Sequence, residues 1–165
     1  MSEMLKTLEK IGRFFEDASL VIMLCVLIGL AATQIFLRNI MDTGFVWADE
    51  TLRLLVLWLV MLGAIAASRD DRHIRIDILS RFLSDKSKLV TTIVLDLFTA
   101  VVCAIVAWYA ASFVLDSRGY EDTLLGGLPA WPFQLILPVA FACIAYRYFI
   151  FFARHVYEAC TREEQ

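Results

Sequence analysis

Three groups of residues carry charge or ligating atoms where chemistry is conceivable. Asp49, Glu50 and Arg53 open one apolar run, Asp96 and Arg147 interrupt two others, and His73 and His155 stand among charged residues. Helical spacing places Asp49 and Arg53 at i, i+4, with Glu50 three residues before Arg53, so a carboxylate and a guanidinium can pair as the chain enters an apolar span. Asp96 and Arg147 each lie about two turns in from the ends of their runs expected on the same side of a membrane. A carboxylate there is a candidate for handling a proton or sodium, but a lone acid with a base at matching depth reads first as a structural charge pair.

Enzyme chemistry fits poorly. A haem bundle needs axial ligands within the helices, and both histidines fall at or beyond the ends of the apolar runs. A membrane thiol oxidoreductase needs exposed cysteine pairs; Cys25, Cys103, Cys143 and Cys160 are scattered over three runs and the tail, with no C-x-x-C among them. No phosphate-cradling glycine loop, H-E-x-x-H or paired intramembrane carboxylate occurs. No catalytic residue, cofactor ligand or metal ligand is therefore assigned to this chain.

The elements that must position the charged groups are long apolar helices. Hydrophobic residues make up 60% of the 165-residue chain, above the share of an ordinary soluble domain. The run from Ala18 to Leu37 has no formal charge and spans roughly 30 Å as a helix. The sequence predicts an all-α integral membrane protein, one membrane domain over 1–165, with four transmembrane helices at about 18–37, 46–68, 89–115 and 132–153. A soluble bundle needs a polar face on each helix, which these runs lack.

Lys and Arg gather before the first helix (Lys6, Lys10, Arg13), between the second and third (Arg69 to Lys88) and after the fourth (Arg154, Arg162). The other connections hold Arg38 and Arg118, so the positive-inside rule puts both termini and the middle connection in the cytoplasm. The N-terminus, with Glu3, Glu9, Glu16 and Asp17 and an overlong apolar run, does not read as a cleaved signal peptide. A net charge of −3 suggests no nucleic-acid partner.

Residues 1–17 carry an apolar stripe (Leu5, Leu8, Ile11, Phe14, Phe15) that suits either an interfacial amphipathic helix or an extension of the first span. Residues 69–88 suggest a second amphipathic helix, with Asp77 and Arg81 at i, i+4. Gly63 and Ala67 thin the second helix to a surface that another helix can approach closely, within this chain or in a partner. Pro132 suits a helix first turn, whereas Pro138 is expected deeper, kinking the interior of the fourth helix.

In order along the chain stand Trp47, Glu50 and Arg53, W-L-V-M-L-G-A from Trp58, H-I-R-I-D from His73 to Asp77, L-P-A-W-P around Pro129 and L-P-V-A-F around Pro138. This ordered set, over nearly the whole chain, resembles the small membrane subunit (DctQ-like) of tripartite ATP-independent periplasmic (TRAP) transporters. The resemblance implies a non-catalytic small permease subunit in the bacterial cytoplasmic (inner) membrane. It would scaffold a large multi-spanning subunit that carries substrate and sodium by an elevator-type motion. A periplasmic binding protein would deliver the substrate, an organic acid, and the sodium site would lie in the large subunit. Trp47, Glu50, Arg53, Gly63, Ala67, His73, Asp77, Pro129 and Pro138 become candidate interface or structural residues on that reading. Two alternatives stay open: a self-assembling four-helix channel or transporter using Asp96, and a membrane anchor subunit of an enzyme complex.

Overall fold

The computed structural model describes the backbone of residues 2–69 and 85–163 and the side chains of 17–69, 89–159 and 161. Helix α1 spans Ser2–Ile40, α2 Ala48–Ala67 and α3 Asp85–Gly119. A hairpin of β1 (Thr123–Leu124) and β2 (Leu128–Pro129) follows, then the short α4 (Trp131–Gln134) and α5 (Ile136–Glu163). Four segments are long and apolar enough to cross a membrane: Asp17–Ile40, Ala48–Ala67, Leu89–Gly119 and Trp131–Ala159. His73, Asp77 and the amphipathic pattern of residues 70–84 lie outside the described residues, as do the side chains of residues 1–16. The backbone of that N-terminal segment is continuous with the first span.

Two compact units divide the chain. The first comprises Met1–Ala66 with Phe113–Ile136. Its helix α1 ends where the amides of Met41 and Thr43 both donate to the Leu37 carbonyl (3.0 and 3.3 Å) and Asp42 turns left-handed at φ 49°. The Gln34 side chain closes the connection to α2: its Nε2 donates to the Phe45 carbonyl at 3.2 Å, and its Oε1 accepts the Phe45 amide at 3.1 Å. Gly44 admits this approach, since a Cβ there would stand 3.1 Å from Gln34 Nε2.

The hairpin pairs Thr123 with Pro129 and Leu124 with Leu128, leaving Leu125, Gly126 and Gly127 as its tip. All three have positive φ, at 55°, 79° and 129°. Glycine adopts such angles freely, while Leu125 does so at a cost of about 1–2 kcal/mol. The Ala130 amide donates to Asp122 O at 2.8 Å, and the Arg118 guanidinium lies 5.4 Å from the Trp131 ring centroid, which fixes the chain on its way into α4.

The fourth span is interrupted at Leu135, between α4 and α5, although Leu135 itself keeps helical angles at φ −57° and ψ −23°. Pro138 follows three residues later, and its missing N–H cannot donate to the Gln134 carbonyl.

The second unit comprises Ala67–Ser112 with Leu137–Gln165. Among the described residues its buried side chains are Ser68, Asp96, Ala100, Ala140 and Ile144, of which only Ile144 is large and apolar. Of the alanines Ala100, Ala104, Ala107 and Ala111, Ala100 is buried and Ala104 exposed, so the run does not form one packed stripe.

Candidate functional site

In the first unit, α2 is tied to the segment after α3 at two levels. The Leu125 amide donates to Glu50 Oε2 at 2.6 Å, and Trp58 Nε1 donates to the Phe133 carbonyl at 3.0 Å. Both pairs are 75 residues apart in sequence, so 125–133 follows α2 in step from Glu50 to Trp58. Between these anchors lies an apolar groove of about 220 Å³, lined by Met23, Leu54, Leu55, Trp58, Leu125 and Phe133.

Glu50 thus caps the hairpin tip and does not pair with Arg53. Among the described residues neither Arg53 nor Asp49 takes part in an ion pair or hydrogen bond through its side chain, which corrects the expected i, i+4 pairing. Glu50 is engaged by an amide held in a left-handed turn, and Asp49 and Arg53 lie on the exposed side of the helix. Trp47, 46% exposed, stacks on Phe45 with ring centroids 5.2 Å apart. Gly63 has open space where a Cβ would stand, and Pro129 is exposed in β2.

In the second unit, Asp96 is wholly buried and His155 Nδ1–H donates to its Oδ2 at 2.8 Å. Arg147 Nη1 donates to Ser68 Oγ at 3.1 Å, beside the exposed Ala67. Sequence reasoning placed His155 at or beyond a helix end; it lies inside α5, which continues to Glu163. The charged residues there keep helical pairing, with Arg154 and Glu158 3.6 Å apart at i, i+4. The roles of Gln34, Trp58 and His155 were missed. A polar or N–H-bearing side chain within or next to an apolar run was the available signal, because such a group needs a partner once water is absent.

Chemically these are structural contacts. Among the described residues no group of three or more His, Cys, Asp or Glu side chains comes together as a metal site. The two polar side chains that line the groove have their donors engaged, Trp58 Nε1 by the Phe133 carbonyl and Thr51 Oγ1 by the Trp47 carbonyl.

Residues 27–158, which include both anchors of α2 and the Asp96–His155 pair, match the family model of tripartite ATP-independent periplasmic transporters, DctQ component. The chain belongs to the DctQ family. It is 28% identical over 145 residues to the sialic acid TRAP transporter small permease protein SiaQ of Vibrio cholerae, covering 87% of this chain and 82% of that one. It is 26% identical over 120 residues to the sialic acid TRAP transporter permease protein SiaT of Haemophilus influenzae, covering 73% of this chain and 19% of that one. The isethionate TRAP transporter permease protein DctMQ of Oleidesulfovibrio alaskensis is 27% identical over 103 residues, 62% of this chain and 16% of that one. This DctQ chain thus spans less than a fifth of two of these relatives and most of the third. With four spanning-type segments, it is a multi-pass membrane protein of a transporter family.

Proposed function

We propose that this chain is the small permease subunit of a TRAP transporter, and that it forms a fixed scaffold for a large permease that moves the substrate. The observation that carries this reading is the pattern of the relatives: the same stretch matches a separate small permease at 82% of its length and 19% and 16% of two longer permeases. A segment found both alone and within a longer permease chain is the expected companion of the remainder. The structure supports a bracing role, because the described polar contacts link elements to one another.

On this reading the chain lies in the bacterial cytoplasmic membrane with both termini and the 69–88 connection cytoplasmic, as the distribution of Lys and Arg favours. The 41–47 connection and the 120–131 hairpin then face the periplasm, where a binding protein delivers an organic acid, and uptake is coupled to sodium in the large subunit. An Asp96-lined channel has less support, since that carboxylate is fully buried against His155.

The test is affinity purification of the tagged chain from its native host in mild detergent, with intact mass of the assembly, and uptake assays with and without a sodium gradient after deletion of the gene. A one-to-one complex with a much larger multi-spanning protein, and uptake lost on deletion and dependent on sodium, are expected. A homo-oligomer without a partner overturns the reading.

A further inference from the structure

We infer that the exposed face of α2 running from Asp49 and Arg53 through Val56 and Val60 to Gly63 is the surface on which a transmembrane helix of the large permease packs. The inference rests on the small-permease reading and adds the face to it.

At about 100° per residue, positions 49, 53, 56, 60 and 63 share one side of a helix, while 51, 54, 55 and 58 share the opposite one. The latter side is spent inside the first unit: Trp58 binds Phe133, and Leu54 and Leu55 line the groove. The former is open. Val56 and Val60 are 47% and 56% exposed, and a Cβ at Gly63 would meet nothing.

The charges decide what covers it. Arg53 lies about 8 Å along the axis from Ala48, inside a segment apolar enough to span the membrane. An ionisable side chain at such depth faces a protein interior or an aqueous cavity, is paired, or extends its head group to the interface, where lipid phosphates lie. Arg53 is exposed, and among the described residues it has no ion pair, its neighbour Glu50 being engaged by Leu125. Asp49, one turn nearer the helix end, is likewise exposed and without an ion pair. A lipid phosphate that approached Arg53 would meet the Asp49 carboxylate beside it. A polar protein surface bearing one charge of each sign, in the reverse order, satisfies both.

The bulk of the neighbouring side chains points the same way. The exposed sides of α1 and α3 carry large groups such as Ile22, Ile28, Phe36, Phe98 and Trp108, which suit acyl chains. Beyond Arg53 the α2 face holds nothing larger than valine, so a second helix backbone can come close. The longer relatives supply the partner's identity, since their matched segment is joined in one chain to a larger permease region.

The experiment places a photo-crosslinking amino acid at Val56 or Val60, and for comparison at Ile28, Phe98 or Phe149, in the full-length chain within native-host membranes. Products are identified by mass. Adducts with the large permease at Val56 and Val60, and few at the comparison positions, are expected. Arg53→Gln is expected to weaken co-purification of the large permease roughly tenfold, the size of one lost charge-assisted contact. Val60→Trp is expected to weaken it by a similar factor, because the indole overpacks a close helix contact. Ile28→Trp is expected to leave it unchanged. If the large permease co-purifies but crosslinks from α1, α3 or α5 instead, or if Val56 and Val60 yield lipid adducts alone, the face is wrong and the small-permease reading stands. If no large permease co-purifies with the unmodified chain, the reading and the inference fall together.

Discussion

Glu50 and Leu125, 75 residues apart in sequence, are joined by a hydrogen bond of 2.6 Å from the Leu125 amide to the Glu50 carboxylate. Leu125 has a left-handed backbone at φ 55°, so the carboxylate holds in place a turn that its own residue disfavours. A hydrogen bond to a charged group contributes about 1.5–3 kcal/mol. Glu50→Ala should therefore lower the thermal unfolding temperature of the detergent-solubilised protein and speed exchange of the Leu125 amide, with Glu50→Gln intermediate because it keeps an acceptor. Equal unfolding temperatures and equal exchange in all three proteins would show that the bond holds nothing.

The hairpin tip makes a second demand. Gly127 has φ 129°, a region that a residue with a Cβ occupies only under strain. Gly127→Ala is expected to destabilise the protein by about 1–3 kcal/mol. Gly29 is the internal control: it is helical, and a Cβ there would meet nothing within 4 Å. Gly29→Ala should be neutral or should stabilise by about 0.5–1 kcal/mol. Parallel thermal melts of the two variants check this, and a melt of Gly127→Ala that matches the parent would mean that the tip has another conformation in the membrane.

Trp58 forms the other anchor of α2 through its 3.0 Å bond to the Phe133 carbonyl. Trp58→Phe keeps an aromatic ring in the groove but removes the donor, at a cost of about 1 kcal/mol. Glu50 and Trp58 are about 12 Å apart along the helix. Their effects are expected to add within about 0.5 kcal/mol in Glu50→Ala/Trp58→Phe. A double variant no less stable than the worse single one would show that the two bonds act as one unit.

The spanning segments were legible because a bilayer imposes a length and an apolar composition that a run such as Ala18–Leu37 displays openly. The order of short motifs around Trp47, His73 and Pro129 pointed to the family, to which the match over 27–158 also assigns the chain. The pairing of polar groups was not legible. Spacing along one helix made Arg53 an obvious partner for Asp49 or Glu50, and nothing local reveals an amide 75 residues away. His155 was misplaced because hydropathy falls after Ala153, although the helix does not stop there.

The Asp96–His155 pair provides the sharpest stability test in the second unit. Asp96 is fully buried, and the His155 side chain is 13% exposed, so neither partner is readily replaced by water. Removing one member of a buried hydrogen-bonded pair costs about 1–3 kcal/mol, because the other loses a partner that water does not replace. His155→Leu, which removes one hydrogen-bond partner of the buried carboxylate, should therefore destabilise the protein more than Asp96→Asn, which keeps a polar group facing the imidazole. The double variant Asp96→Asn/His155→Leu should cost less than the sum of the two single losses, as coupled neighbours do. Thermal melts and co-purification of the large permease are to be measured for all three. Sub-additive melts with additive losses of co-purification would assign the pair a role in assembly, and fully additive melts would contradict the coupling of the two side chains.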